Sequence, residues 1–302
     1  MLSYVYGSPP GELAAVARDA VQVSPLVPDA TSLEDIAPAT ADGVTIAAPA
    51  GTLERRYVVG LALRALKVGA PLTVLAPNEK GGTRLAKELT AFDCEVSAES
   101  KRHHRICRTV RPTALNDAAV ATAIEQGQPR FSDDLGQWTQ PGVFSWDRHD
   151  VGSLLLMSVL PALSGQGADL GCGIGLLAAA VLANPDVTHL DLVEIDRRAI
   201  AAARRNITDK RAAFHWADAR VAPVLGGLDF VVMNPPFHDA GIEDKGLGQA
   251  FVRRARQILR PGGTLWVVAN RHLPYEGIMS SLFTTADLRA EGHGFKVYEA
   301  RA

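Results

Sequence analysis

The residues Asn234-Pro235-Pro236-Phe237 follow Leu228 to Met233, a run that is apolar apart from Asp229 and is predicted to be a strand. Two consecutive prolines cannot continue a central strand, so the chain must leave the sheet there. The stiffened loop directs the Asn234 amide and the Pro235 carbonyl, whose oxygens can both accept hydrogen bonds from a planar exocyclic NH2 group. Holding both hydrogens favours a tetrahedral nitrogen with a free lone pair. With Phe237 as a stacking face, this corner predicts chemistry on the amino group of a base.

A glycine-rich turn, Gly171-Cys172-Gly173-Ile174-Gly175, stands earlier in the chain, with Asp169 two residues before it. Glycine lets the backbone adopt positive φ and lets a ligand lie against the main chain. The helix that follows directs its free N–H groups at that ligand. The spacing G-x-G-x-G differs from the dinucleotide pattern G-x-G-x-x-G, which would need glycine at Leu176. The turn therefore predicts a nucleotide-like ligand without naming it, and Cys172 is expected to be a small filler.

Carboxylates follow two neighbouring strand candidates in the second half of the chain. Glu194 and Asp196 end the run His189 to Asp196, and Asp218 follows Ala213 to Trp216. Ligands of open parallel sheets bind outside the carboxyl ends of the strands. Glu194 can accept both hydroxyls of a ribose, and Asp218 can accept an adenine amino group. An exposed strand end and a turn-forming residue remain the alternatives for each residue taken alone.

The elements that must position these residues alternate between strands and helices, which predicts βαβ units and parallel sheets. Both halves show this rhythm, which suggests duplication, although only the second half carries the glycine turn. The predicted domains are residues 1–125 and 141–302, and the polar segment 126–140 is expected to be a linker. Expected elements include strands 44–48, 72–76, 94–98, 264–269 and 295–301 and helices 52–66, 83–89, 154–163, 199–207 and 247–259.

The composition and net charge of the chain limit the kinds of nucleic-acid binding that can be expected. The chain has 302 residues, 47% hydrophobic and 21% charged, with a formal net charge of −2, which excludes a globally basic nucleic-acid binder. A local basic patch is still compatible with this charge, since residues 101–111 hold five Lys or Arg together with His103 and His104. These basic residues either form a solvent-exposed edge of the fold or bind RNA phosphates.

Targeting and metal signals are missing from the sequence. Cys94, Cys107 and Cys172 show no C-x-x-C spacing, so neither a zinc site nor a disulfide framework is predicted, in keeping with a reducing cytosol. The first ten residues have no basic run followed by an apolar core. No apolar run approaches the ~20 residues of a membrane span. We expect a cytoplasmic protein without a metal.

The glycine turn with Asp169, Glu194 and the proline corner resembles the class I S-adenosylmethionine-dependent methyltransferases. Three segments, residues 141–145, 150–153 and 234–238, further resemble the ribosomal RNA guanine-N2 methyltransferases, of the small-subunit methyltransferase C and large-subunit methyltransferase G types. The resemblance is strong over residues 141–302 and fainter in the first half. The loop Trp146-Asp147-Arg148-His149 departs from the family pattern.

This resemblance implies an α/β fold of two tandem Rossmann-like methyltransferase domains. The second would hold a central, mostly parallel seven-stranded sheet, and the first would be degenerate and help to bind RNA. The implied cofactor is S-adenosyl-L-methionine. Its expected ligands are Ser153, Asp169, Gly171, Cys172, Gly173, Gly175, Glu194, Ile195, Asp218, Ala219 and Asn234.

The implied reaction is methylation of the N2 amino group of a guanine in ribosomal RNA. The catalytic residues would be Asn234, Pro235, Pro236 and Phe237, and the base must be unpaired or flipped to reach them. Substrate contacts are expected from Phe144, Phe237, His238, Lys101, Arg102 and Arg105. His238 either assists in catalysis or is a structural histidine.

Rival interpretations remain. An adenine-N6 or protein-glutamine methyltransferase would use the same corner, most often with Tyr at the position of Phe237. A non-catalytic RNA-binding or ribosome-assembly protein would keep the fold without turnover, and a dehydrogenase would need a different glycine spacing. The expected partner is ribosomal RNA or a ribosomal subunit, and a monomer is favoured.

Overall fold

The computed structural model describes residues 1–222, 226–236, 238–239, 242–243, 245–273 and 275–302. Within it the chain divides into two compact units. The first unit comprises residues 1–130 and 140–142, and the second comprises residues 131–139 and 143–302.

The first unit is built on a six-stranded sheet of order β2-β1-β3-β4-β6-β5 in the described residues. Its strands are β1 Ser3–Tyr6, β2 Val21–Gln22, β3 Gly43–Ala47, β4 Pro71–Pro77, β5 Ser97–Lys101 and β6 His104–Val110. Its helices are α1 Thr52–Ala65, α2 Leu85–Thr90 and α3 Asp117–Gly127. Strands β1 to β4 pair in parallel, whereas β6 is antiparallel to both β4 and β5.

A buried arginine forms hydrogen bonds with the segment that follows β3. Arg55, on α1, is fully buried and forms two hydrogen bonds of 2.7 Å with Glu88 on α2. Its Nη1 donates to the carbonyl oxygens of Pro49 at 3.1 Å and Ala50 at 2.8 Å. A buried guanidinium needs such partners because an unpaired charge in the core is costly. Arg55 therefore saturates the carbonyls at the carboxyl end of β3.

The second unit holds a seven-stranded sheet of order β11-β10-β9-β12-β15-β17-β16, counted over the residues described above. Its strands are β9 Gly165–Leu170, β10 Val187–Glu194, β11 Ala212–Trp216, β12 Leu228–Met233, β15 Leu259–Asn270, β16 Thr285–Gly292 and β17 Phe295–Arg301. Its helices are α4 Val151–Val159, α5 Leu176–Leu182, α6 Arg197–Asn206, α7 Lys245–Ile258 and α8 Tyr275–Leu282. Separate from the sheet are the hairpins β7 Arg130–Ser132 with β8 Gln137–Thr139, and β13 His238–Asp239 with β14 Ile242–Glu243.

This sheet is mixed, with apolar clusters on both faces. Strands β9 to β12 and β15 pair in parallel, and β17 is antiparallel to β15 and β16. One cluster includes Val231 with residues of α7 and α8, and the other includes Val232 with residues of α4, α5 and α6. Alternate residues of β12 thus enter opposite cores, which explains why the strand is apolar from Phe230 to Met233.

The two sheets share one strand order. The six strands of the first unit match β10-β9-β12-β15-β17-β16 of the second in sequence order and in direction of pairing, and β11 is the extra edge strand. In this alignment β3 corresponds to β12. Ala48-Pro49-Ala50 therefore follows β3 where Asn234-Pro235-Pro236 follows β12.

Several sequence expectations need correction. The segment 126–140, expected to be a linker between the domains, contains the end of α3 and the β7–β8 hairpin, and Phe131–Thr139 of it belongs to the second unit. The short strands β1 and β2 and the edge strand β16 were not predicted. Helix α4 begins three residues before the expected start because Asp150 caps it. Within the described ranges, no helix is both long and apolar enough to cross a bilayer.

Candidate active site

The glycine turn joins β9 to α5 as the sequence predicts. Gly171, Gly173 and Gly175 all have positive φ, of 78°, 55° and 94°. A side chain at Gly175 would place its Cβ 2.7 Å from Ile207 Cδ1, so glycine is required there for packing as well as for conformation. Main-chain N–H groups of Gly171 and Cys172 both donate to the Val193 carbonyl, at 2.8 and 3.1 Å. The turn is thereby fixed to the neighbouring strand β10.

Glu194 connects the end of β10 to the same turn. Its Oε2 accepts the N–H of Gly173 at 2.9 Å, and its Oε1 accepts the N–H of Asp196 at 2.9 Å. Burial raises the pKa of Glu194 above its ordinary value, and the nearby Asp196 carboxylate adds to the shift, while the backbone donors oppose it. The role of this carboxylate toward a ribose stays a prediction.

Asp169 is the second buried carboxylic acid of the site. It is fully buried at the end of β9, and burial, followed by the Glu194 carboxylate, raises the pKa of Asp169 to about 8. Neither carboxylate oxygen has a hydrogen-bond partner among the residues that the structure describes. A buried acid without a partner is unfavourable unless a ligand completes it. The ammonium and sulfonium charges of S-adenosylmethionine suit this position, so the donor set fits the expected cofactor.

The proline corner lies directly against the start of α4. Nδ2 of Asn234 donates to Asp150 Oδ2 at 2.7 Å and to Ser153 Oγ at 2.9 Å. Asp150 is the N-cap of α4, where the same Oδ2 accepts the N–H of Ser153 at 2.7 Å. Pro235 is buried and Pro236 exposed. The corner is therefore held to α4 through the amide nitrogen of Asn234.

A cleft of about 490 Å³, open to solvent, brings the glycine turn and the corner together. Its walls come from the glycine turn, the start of α5, the start of α4 and the preceding loop, Asn234, and the β7–β8 hairpin. The lining residues are Leu135, Gln137, Phe144, Ser145, Arg148, His149, Asp150, Ser153, Gly171, Cys172, Gly173, Ile174, Leu176, Leu177 and Asn234. Such a concave site can hold a ligand on the glycine turn and present it to an acceptor at Asn234.

The remaining predicted cofactor residues follow β10 and β11. Ile195 is partly exposed, and its carbonyl accepts Trp216 Nε1–H at 2.8 Å. Asp218 is bound by Arg220, whose Nη2 lies 2.6 Å from Asp218 Oδ2, and hydrogen bonding from Arg220 lowers the pKa of Asp218. Ala219 is buried. Their contacts with a cofactor stay predictions.

The predicted substrate residues fall into separate groups. Phe144 lines the cleft and is 58% exposed, which leaves its ring available to a base. Phe237 lies outside the described residues, and of His238 only the backbone is described, in β13. Lys101, Arg102 and Arg105 belong to the first unit, on the β5–β6 hairpin.

Sequence reasoning missed several residues of the cleft. Leu135 and Gln137 belong to the segment expected to be a linker, and they were not considered. From the sequence either Asp150 or Ser153 could cap the helix, and the structure shows Asp150 as the cap, but its bond to Asn234 spans 84 positions and has no signal in the sequence. Among the described residues, no group of three or more His, Cys, Asp and Glu could hold a metal ion.

The chain matches a methyltransferase family model and curated relatives that are methyltransferases. The model of the methyltransferase small domain family matches residues 134–299. The ribosomal RNA small subunit methyltransferase C of Shewanella halifaxensis is 34% identical over 267 residues, which cover 85% of this chain and 76% of that protein. The protein of the same name from Hahella chejuensis is 31% identical over 243 residues, covering 78% and 70% of the two chains.

A solved structure extends the similarity to the whole fold. The 16S rRNA N2 guanine methyltransferase of T. thermophilus, in complex with AdoMet and guanosine, superposes with a TM-score of 0.80. The match covers 100% of this chain and 88% of that one at 24% sequence identity. At that identity the likeness shows a shared fold.

Proposed function

This chain belongs to the family of the ribosomal RNA small subunit methyltransferase C proteins, and we propose that it methylates the exocyclic N2 amino group of a guanine in ribosomal RNA, with S-adenosylmethionine as donor. The observation that carries the proposal is the cleft in which the glycine turn and Asn234 face the same space. A donor site and an acceptor for an amino group are thus combined in one pocket.

Three elements of this chain would bind the cofactor: the glycine turn, Asp169 and Glu194. The main chain of the glycine turn and the buried Asp169 would hold its amino-acid part, and Glu194 would accept from its ribose. When bound, S-adenosylmethionine would supply an electrophilic methyl group, and because the group left after the methyl–sulfur bond breaks is a neutral thioether, no metal is needed to stabilise it. Positioning is the main task left to the protein, and it can contribute several kcal/mol.

The acceptor side is supplied by the proline corner. Asn234 uses its amide nitrogen on Asp150 and Ser153, so its Oδ1 remains to accept a hydrogen of the guanine amino group. The Pro235 carbonyl accepts the second hydrogen, and Phe237 and Phe144 offer faces for the base. The proton released on methylation passes to water or to these same acceptors.

The first unit is a degenerate copy of the catalytic one in this proposal. Its strand order matches that of the second unit, but Ala48 stands at the position of Asn234 and Arg55 occupies the adjoining carbonyls. We assign it to RNA binding, through Lys101, Arg102 and Arg105 on an exposed hairpin. The protein would act as a monomer in the cytoplasm, on ribosomal RNA or on a ribosomal subunit.

The proposal is tested by transfer of tritiated methyl groups from S-adenosylmethionine to naked ribosomal RNA and to each isolated subunit, followed by nucleoside analysis. Label in N2-methylguanosine supports it. Label in N6-methyladenosine or in protein would show one of the rival acceptors. Failure of the protein to bind the cofactor in calorimetry, together with no transfer, would indicate a non-catalytic RNA-binding protein.

A further inference from the structure

We infer that Asp150 is a positioning residue that fixes the orientation of the Asn234 carboxamide and so selects which of its atoms faces the acceptor amine. The inference rests on the proposed function, since it concerns the same corner. It adds a residue that acts through Asn234 and touches neither the base nor the cofactor in the proposed mechanism.

The chemistry of the contact determines the orientation. Asp150 Oδ2 already acts as the acceptor of the Ser153 N–H, so the Asn234 atom that lies 2.7 Å from it is the nitrogen, which donates. Rotating the carboxamide by half a turn would place Oδ1 of Asn234 against that carboxylate, and two acceptors at this distance repel. Asp150 therefore directs Nδ2 toward α4 and leaves Oδ1, which has no hydrogen-bond partner among the described residues, as the acceptor of the side chain.

Asp150 is itself held in place. Its Oδ2 accepts the N–H of Ser153 at 2.7 Å, which ties the carboxylate to the first turn of α4. The backbone of Gly152 packs closely against the ring of Phe295. A Cβ at this position would come within 2.9 Å of that ring. The start of α4 is thus packed onto β17, and the carboxylate is directed at Asn234 by a rigid element.

Ser153 completes the arrangement. It is buried, and its Oγ accepts the second Nδ2 hydrogen of Asn234 at 2.9 Å. Both hydrogens of the carboxamide are then taken, so the side chain can meet a substrate amine only as an acceptor. A base that presents an amino group is favoured over one that presents a carbonyl oxygen at the same place, because the latter would face an acceptor.

The inference is tested with two substitutions of Asp150 and a matched control. Asp150→Ser keeps a residue that can cap α4 but is too short to hold Asn234, whereas Asp150→Asn keeps an amide oxygen for both donors. Asp147→Ser makes the same replacement at an exposed residue of the same loop that does not line the cleft. We expect Asp150→Ser to lower kcat about 10- to 100-fold, with the cofactor Kd and the melting temperature unchanged.

Asp150→Asn should restore most of that rate, and Asp147→Ser should behave as wild type. The inference is overturned if Asp150→Ser keeps the wild-type kcat, if its cofactor affinity falls in parallel with the rate, or if Asp150→Asn is no better than Asp150→Ser.

A readout without turnover separates this inference from the proposed function. The Asn234 side-chain NH2 signal, assigned in a 15N spectrum by its loss in Asn234→Ala, should exchange slowly with solvent in the wild type and rapidly in Asp150→Ser. Slow exchange in both proteins overturns the positioning role even if methyl transfer to RNA is observed. A wild type with slow exchange but no transfer would contradict the proposed function alone.

Discussion

Glu194 accepts the backbone N–H of Gly173 at 2.9 Å, so the carboxylate that ends β10 is bonded to the turn that follows β9. The two strands are neighbours in the sheet, with Val193 opposite Leu170. One side chain therefore shapes the glycine turn and also stands in position to bind a ribose. Loss of this carboxylate should affect both sides of the cofactor site.

We expect Glu194→Ala to weaken S-adenosylmethionine binding by about 2 kcal/mol, or roughly 30-fold, as for a hydrogen bond to a charged group. Glu194→Gln, which keeps one acceptor oxygen, should lie between this variant and the wild type. Calorimetric titration of the cofactor measures the effect, and Glu125→Ala, at an exposed residue of α3, is the control. An unchanged Kd for Glu194→Ala would remove its role toward the ribose.

Asp169 should make the stability of the second unit depend on pH. Its pKa is raised to about 8, whereas an unfolded Asp titrates near ~3.9. Between these values the folded state holds a proton that the unfolded state has lost, so unfolding releases a proton. The free energy of unfolding therefore falls as pH rises from about 4 to about 8, on the order of several kcal/mol, and most of the decrease is complete above the folded pKa.

Asp169→Asn should abolish this part of the pH dependence and stabilise the cofactor-free protein at neutral pH. All four tryptophans, Trp138, Trp146, Trp216 and Trp266, lie in the second unit, so their fluorescence follows its unfolding in urea. Asp147→Asn is the control for an exposed carboxylate. Equal slopes against pH for the wild type and Asp169→Asn would contradict the buried, protonated state.

Asn234→Ala should lower kcat by at least ~100-fold, the scale of losing one preorganised polar group at a reaction centre. Cofactor binding should remain largely intact, because the glycine turn, Asp169 and Glu194 are unchanged. Single-turnover methyl transfer and calorimetry on the same preparation give both quantities. A variant that still turns over at a rate near wild type would exclude Asn234 as the amine acceptor.

The β5–β6 hairpin should contribute to RNA affinity without affecting the cofactor. Lys101 donates to the Glu12 carbonyl at 2.7 Å, Arg102 pairs with the Glu12 carboxylate at 2.7 Å, and Arg105 donates to Ser100 Oγ at 3.1 Å. Replacing all three by Ala should weaken RNA binding. The slope of log K against log salt should also become shallower, by about 1 for each RNA phosphate that the hairpin no longer binds.

The measurement is a salt titration of RNA binding, with Lys67→Ala as control. Lys67 is an exposed lysine of the same unit that pairs with Asp42, away from the hairpin. Affinity and salt slope equal to wild type in the triple variant would assign the basic run to a solvated edge.

The sequence was most informative where chemistry and backbone geometry coincide. Gly171, Gly173 and Gly175 needed positive φ, and the prolines after Met233 ended a strand, so the turn and the corner could both be predicted. The strand β1 was missed because it has four residues, and the β7–β8 hairpin because its polar, Gly-containing composition is that of a loop. Both elements are stabilised by contacts with residues distant in the sequence, and local sequence patterns carry no information on such contacts.

Interactions between distant residues were also beyond the sequence. The roles of Asp150 toward Asn234 and of Glu194 toward Gly173 depend on strand order, which brings separate segments to one edge of the sheet. The duplication could be suggested from the common rhythm. The correspondence of β3 with β12 became visible only once both sheets were ordered.

Arg55 binds the carbonyls that follow β3, at the position that corresponds to the proline corner after β12. A guanidinium and the amino edge of guanine both present N–H groups on a planar carbon, and Arg55 offers its own to the carbonyls of Pro49 and Ala50. Replacing Arg55 alone would remove both of its 2.7 Å hydrogen bonds to the buried Glu88 and leave that carboxylate, among the described residues, only the longer 4.0 Å contact with Arg56. Under the proposal that the first unit is a degenerate copy, an amine acceptor at the position of Asn234 could not be restored there by one replacement, because both Ala48 and Arg55 would have to change.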